Sequence, residues 1–262
     1  MKTMWFPLAL AFVGACSGDD ETKDTTTGEA DTDTDTDSDT DTDTDTDTDT
    51  DTDTDTPPGP VSFLMSFVDA LGDEPLPGVV CNVDGTDFTS DAAGSMVITA
   101  DANLPSLHFA CVEVDHQTQW VTMTTGTDST WTISNQLATP AAVAALSIAM
   151  DLGRPDPAKG LLTVSVLDAS YGLGLVGATV AIDAANTGVA VTDPSTVLKY
   201  SQGATIPAGG QNVVFGNVDP GTANITVTTP AGETCVTAIG TGSVGSVDVI
   251  AGANNLIIYS CQ

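Results

Sequence analysis

The sequence predicts an all-β protein, two tandem antiparallel β-sandwiches joined by a short helix and set behind a disordered acidic tether. Three observations predict it. Beyond residue 60 the apolar residues fall in short runs rich in Val, Ile, Thr and Phe, and Gly, Pro, Asn or Asp break each run, as in strands linked by turns. A single stretch, Ala141 to Leu152, is built from strong helix formers. Residues 31–56 alternate Asp with Thr and hold nothing apolar to bury.

At the N-terminus, Lys2 precedes the apolar run Met4 to Val13. A membrane span needs about 20 apolar residues, so this shorter run reads as the core of a signal peptide over residues 1–15. It ends in Val13-Gly14-Ala15-Cys16, which resembles the bacterial lipobox: an aliphatic residue, two small ones, then cysteine. The resemblance implies cleavage before Cys16 and a diacylglycerol on its sulfur, and Ser17 in the next position implies sorting to the outer membrane. An ordinary secretory signal with an incidental cysteine is the alternative. Each buried acyl methylene contributes about 0.8 kcal/mol. The expected location is the bacterial outer membrane or cell surface, with the membrane as a partner through the lipid anchor.

Residues 16–60 form the linker. The Asp-Thr alternation from Asp31 to Thr56 is broken only by Ser38, and the chain up to Pro60 holds 18 of the 36 acids. Like charges at every second position and β-branched Thr oppose helix and keep such a segment swollen. Fully stretched, Ser17 to Thr56 reaches on the order of 130 Å. Pro57-Pro58-Gly59-Pro60 stiffens the exit. Acidic calcium loops need a turn glycine and a closing bidentate carboxylate, and the repeat has neither, so a solvated spacer is the reading. Composition leaves O-glycosylation of the threonines open.

The formal charge of −31 therefore belongs largely to the linker. The chain beyond Pro60 still carries 18 acids against Arg154, Lys159 and Lys199. Nucleic acid requires basic patches to neutralise phosphate, which excludes it as a partner.

Strand runs in the first unit, residues 61–138, begin at Val61 to Val68 and Leu76 to Val83. Met96 to Thr99, Leu107 to Val114, Gln119 to Thr124 and Ser129 to Ser134 come next. Residues 139–159 are the helical connector. Thr139 suits the N-cap, Pro140 the first position and Gly153 the stop, while Val143, Leu146, Ile148 and Met150 supply an apolar side. The second unit, residues 160–262, repeats the strand plan. Its runs are Leu161 to Leu167, Gly177 to Ile182, Val213 to Phe215, Ala223 to Thr228, Val247 to Ile250 and Leu256 to Tyr259, with Val189 to Asn212 as a long loop.

In the first unit Val68-Asp69, Pro75-Leu76-Pro77-Gly78-Val79-Val80 and Ser90-Asp91-Ala92-Ala93-Gly94 resemble the carboxypeptidase regulatory-like domain. So do Val166-Leu167-Asp168, Gly174 to Val180 and Val214 to Val227 in the second. The resemblance implies transthyretin-like, immunoglobulin-like sandwiches, a plan shared with CNA-B surface repeats. It specifies fold rather than function. The first unit lacks the late Phe-x-x-Val-x-Pro-Gly element.

Four cysteines remain, Cys81, Cys111, Cys235 and Cys261, two in each unit. An even set in an exported chain reads as disulfides, and pairing within each unit, Cys81 with Cys111 and Cys235 with Cys261, is preferred among the three possible pairings. Zinc is disfavoured because no CxxC spacing exists and only His108 and His116 offer imidazoles.

No Gly-x-Ser-x-Gly elbow, HExxH or phosphate loop accompanies the histidines, so His108 and His116 read as structural. Asp168 and Asp183 read as strand-end and turn residues. The CNA-B likeness raises a Lys–Asn crosslink, but the first unit has no lysine, Lys159 precedes its strand and Lys199 lies in the long loop. Tyr200, Gln202 and Gln211 of that loop are a candidate ligand surface, with a plain loop as the alternative. The expectation is a non-catalytic, cofactor-free envelope protein displaying its sandwiches for structural or adhesive contact. The alternative is a carbohydrate- or protein-binding accessory module of a secreted enzyme system, with Trp120 and Trp131 as its aromatic platform. A surface protein or polysaccharide is the partner to look for.

Overall fold

The computed structural model describes residues 59–262 except 105, 126–129, 169–172, 197–198 and 238–244. Cys16, the signal segment and the Asp-Thr repeat lie outside the described residues.

In chain order the strands of the first half are β1 (Val61–Asp69), β2 (Val80–Val83), β3 (Thr86–Thr89), β4 (Ser95–Ala100), β5 (Leu107–Val112), β6 (Gln119–Met123) and β7 (Thr130–Leu137). Helix α1 (Pro140–Ala149) is next. Then come β8 (Gly160–Asp168), β9 (Thr179–Ile182), β10 (Gly188–Thr192), β11 (Tyr200–Gln202) and β12 (Asn212–Val218). The chain closes with β13 (Gly221–Thr228), β14 (Cys235–Thr237), β15 (Ser246–Val249) and β16 (Asn254–Cys261). The fold is mostly β, as the strand-and-turn spacing predicts.

One large sheet runs β11-β10-β12-β8-β16-β6-β5-β2-β3, and two three-stranded sheets, β4-β1-β7 and β15-β13-β9, accompany it. The large sheet crosses the boundary expected at 139–159, because β16 pairs with β8 on one edge and with β6 on the other. Beyond the end of β6, β14 takes over that second edge.

Alternation along β16 explains why it can serve both halves. Successive side chains of a strand point to opposite faces. Leu256 and Ile258 enter a core with Phe63, Met65, Phe67, Phe109 and Ile133. Ile257, Tyr259 and Cys261 enter a second core with Leu162, Val164, Phe215, Ile225 and Val247. Buried on both faces, β16 reads as a continuous apolar run, the pattern of an interior strand. Each large apolar side chain sealed in these cores contributes about 1.5–3 kcal/mol.

A third cluster joins α1 to the large sheet, with Ala142, Val143 and Met150 against Leu161, Ala190 and Val214. These sheet residues alternate with those of the second core, so α1 covers the opposite face of β8, β12 and β10. The Thr139 hydroxyl accepts from the Ala142 amide and Pro140 opens the helix. The helix ends at Ala149, three residues short of Leu152, and Asp151 and Gly153 turn the chain with φ of 57° and 82°. Ile148, assigned to the apolar side, is 59% exposed, and Ser147 takes its place on the buried face. At 3.6 residues per turn Val143, Ser147 and Met150 share one face, and Ile148 is rotated away from it.

Other expectations need correction. The pairs β1–β7, β16–β6 and β16–β8 are parallel, so the sandwiches are not purely antiparallel. Both β7 and β16 reach their partners after long excursions rather than through hairpins. The stretch from Val189 to Asn212 is not one long loop, since it holds the end of β10 and all of β11. Leu76 to Val79 is a turn rather than strand, with Gly78 at φ 81°.

Disulfides join Cys81 to Cys111 and Cys235 to Cys261, the pairs preferred from the sequence. Both link residues that face each other across neighbouring strands, β2 with β5 and β14 with β16.

Candidate functional site

Between α1, the turn from Gly153 to Lys159 and the β5–β6 loop lies a groove of about 420 Å³. Val143 and Ser147 form its helical wall, and Gln117 and Asn217 contribute polar groups. A bulge near the end of β12, with Asn217 at φ 47°, aims the Asn217 side chain at the turn. There its Oδ1 accepts from the Asp156 amide and its Nδ2 donates to the Arg154 carbonyl. Two of the three cations beyond Pro60, Arg154 and Lys159, thereby reach the groove. Lys159 pairs with Asp219 where both side chains are substantially solvent-exposed, at 35% and 47%. Among the described residues the Arg154 guanidinium makes no ion pair.

His116 stands at the wall of this groove with its side chain only 7% exposed. Its Nδ1 lies 2.5 Å from Glu113 Oε2 and its Nε2 lies 2.9 Å from Asp69 Oδ2. A carboxylate on each side favours the protonated ring, in which both nitrogens donate. Burial opposes that charge, but the hydrogen bonds to Glu113 and Asp69 outweigh it and raise the pKa above 6.5. Burial likewise opposes ionisation of Asp69, yet His116 and the amides of Leu71 and Gly72 hold its pKa below the ordinary value. The His116 hydrogen bond also lowers the pKa of Glu113. Protonated between two carboxylates, the ring has no free lone pair to act as a general base.

His108 is placed elsewhere, exposed on β5, with Nε2 against the Ser106 hydroxyl and Nδ1 3.1 Å from Thr122 Oγ1. The structure does not bring the two histidines into one Ser-His-Asp arrangement. Asp168 ends β8, while Asp183 comes just after β9 and accepts from the backbone and side-chain amides of Asn224, which lower its pKa. Among the described residues no group of three His, Cys, Asp or Glu is placed to hold a metal ion.

The surface expected from Tyr200, Gln202 and Gln211 is not assembled. Tyr200 is 5% exposed and packs in the cluster beneath α1. Gln202 donates to Asp151 Oδ2 at 2.7 Å. An aromatic ring is a large apolar surface, and the space between α1 and β10 buries it. Trp120 is half-buried on β6, and Trp131 belongs to β7 in a different sheet. The two therefore do not stand side by side on one sheet, and the Trp131 side chain lies outside the described residues. Lys199 donates to the Pro194 carbonyl.

Sequence reasoning missed the groove. Its available signal was Gly153-Arg154-Pro155-Asp156-Pro157-Ala158-Lys159, a rigid turn that concentrates scarce cations.

No protein-family model matches the chain, and no curated protein matches it in sequence. Among solved structures it is similar to the Bacillus anthracis TIE protein, at 10% identity and a TM-score of 0.24 over 77% of this chain and 34% of that one. A Streptococcal ancillary pilin is similar at 14% identity and a TM-score of 0.25 over 79% and 63%. This chain thus spans less than two thirds of either protein. CBMbc (family CBM26) from Eubacterium rectale Amy13K, in complex with maltoheptaose, is similar at 13% identity and a TM-score of 0.26 over 76% and 92%. Superpositions this loose transfer no residue role to the present chain.

Proposed function

We propose that this is a non-catalytic, lipid-anchored protein of the bacterial cell envelope. In this reading residues 1–15 are removed, Cys16 carries the lipid, and residues 17–60 space the β-rich unit from the membrane for structural or adhesive contact. The observation that supports it is the joined sheet, in which β16 serves both cores and two disulfides pin neighbouring strands. Such a body suits exposure outside the cytoplasm, where disulfides persist. His116 is held between two carboxylates, while His108, exposed on β5, lies between the Ser106 and Thr122 hydroxyls rather than between a hydroxyl and an acid.

Intact-mass measurement of protein extracted from membranes tests the proposal. The expected chain starts at Cys16, carries added acyl mass and gains four hydrogens on reduction. An unacylated chain that retains Met1 and is unchanged by reduction would overturn it.

A second reading, binding of a polysaccharide or protein partner, draws support from the groove and from Arg154 at its rim, which has no ion-pair partner among the described residues. Pull-down on insoluble polysaccharides, repeated with Arg154→Ala, tests it. Retention that the substitution abolishes favours this reading, and no retention on any polysaccharide removes the carbohydrate branch.

A further inference from the structure

We propose that the seam between α1 and strands β6 and β7 is a built site for one ordered internal water molecule, held by glutamine carbonyl oxygens. Gln119 on β6 and Gln136 on β7 are 1% and 9% exposed. The Oε1 atoms of both, and that of Gln117, are buried and accept no hydrogen bond within the protein. All three glutamines line a cavity of about 20 Å³, closed by Val143, Leu146 and Met150 of the helical segment.

The orientation of two of these amides is fixed from their other ends. Gln117 Nε2 donates to the Gly252 carbonyl at 3.1 Å, and Gln136 Nε2 points to Asp73 Oδ1 at 3.5 Å. Flipping either amide would set oxygen against oxygen, so these two acceptors stay turned inward, more firmly at Gln117 than at the longer Gln136 contact. A buried carbonyl without a donor is strongly unfavourable, and the helix wall is apolar apart from Ser147.

Size and chemistry then select the occupant. A cavity needs roughly 10–15 Å³ to admit a water and two to four polar partners to hold it, so this one takes a single water. An anion would meet the three unpaired carbonyl oxygens. A hard cation such as calcium takes about six to eight oxygens, and three neutral amides fall short. Water donates two hydrogens, which suit Gln119 and Gln136, the two most deeply buried. Gln117 also lines the groove and so faces a route by which the water exchanges.

The test is done on the mature chain labelled with ¹⁵N. Magnetisation transfer from water to the Nε2 protons of Gln119 and Gln136, with the sign of a long-lived contact, is the expected result. Absence of that transfer in the unmodified protein would overturn the proposal. Gln119→Met and Gln136→Met supply a second readout through its sign. If a water is bound, each removes one of its partners and lowers Tm by roughly 2–4 °C. A rise in Tm would mean that the amides are dry and refute the site. A Tm that differs between sodium and potassium chloride at equal ionic strength would overturn the water and assign the cavity to an ion instead.

Discussion

Removing the Cys235–Cys261 bond tests whether the two halves of the sheet behave as one body. The bond closes a loop of 26 residues at the end of β16, far in sequence from either tryptophan of the first half. On the chain-entropy model a loop of that length contributes about 3.5 kcal/mol. Cys261 is also nearly sealed from solvent, so Cys235→Ala/Cys261→Ala leaves a small void that adds to the loss. At about 2–4 °C per kcal/mol for a body of this size, the midpoint should fall by roughly 7–14 °C. Tryptophan fluorescence reports on Trp120 and Trp131 alone once residues 1–15 are gone, whereas far-ultraviolet circular dichroism reports on all the strands. Because Trp120 lies on β6, opposite Asn255 of β16, both probes should show one transition displaced equally. A fluorescence midpoint that stays in place while circular dichroism splits into two steps would refute the argument. The halves would then unfold independently despite their shared strand.

The same geometry sets three further outcomes. The clamp of Asp69, His116 and Glu113 makes stability depend on pH in two directions. The raised pKa of His116 gives a contribution complete below 6.5 and lost as pH rises through the folded value. The lowered pKa values of Asp69 and Glu113 give one present above their ordinary 3.8 and 4.5 and lost as pH falls through the folded values. Denaturant midpoints should therefore peak between those limits, and His116→Gln should flatten the alkaline fall; an unchanged alkaline limb would contradict the clamp. Thr139→Ala, which removes the acceptor at the start of α1, should cost about 1 kcal/mol in urea titrations, and a loss below the error of the titration would mean that the cap is redundant. Gly174→Ala places a methyl against the backbone of Gly210 and Gln211 and should cost roughly 3 kcal/mol or more. A fully soluble variant with an unshifted melt would show that this approach relaxes freely.

The β character and most of the long strands were legible because each apolar run ends in turn residues. The disulfide pairs were legible from an even count with two cysteines in each expected unit. What escaped the sequence was pairing between distant segments. Nothing in Asn254-Asn255-Leu256-Ile257-Ile258-Tyr259 says that its neighbours will be β8 and β6, since a run buried on both faces has no preferred partner. Short strands such as β3 and β11 were hidden by polar composition, for Thr86-Asp87-Phe88-Thr89 reads as a turn until β2 is placed beside it. His116 was visible as a residue, but its two carboxylates come from Glu113 nearby and Asp69, which lies 47 positions away. Only the folded sheet brings that second acid into range.

The position of β16 also sets a timetable. It is the last strand in chain order, yet it lies in the middle of the large sheet, so the first half waits for residues 254–261 before Leu256 and Ile258 can complete its core. A polypeptide threaded outward N-terminus first would have its leading end across the membrane while that central strand was still inside. Until the strand arrives, the edges of β6 and β8 stand open to any other extended chain. Stalled or shortened copies lacking β16 should therefore be degraded or aggregate as whole units, rather than persisting with one half folded.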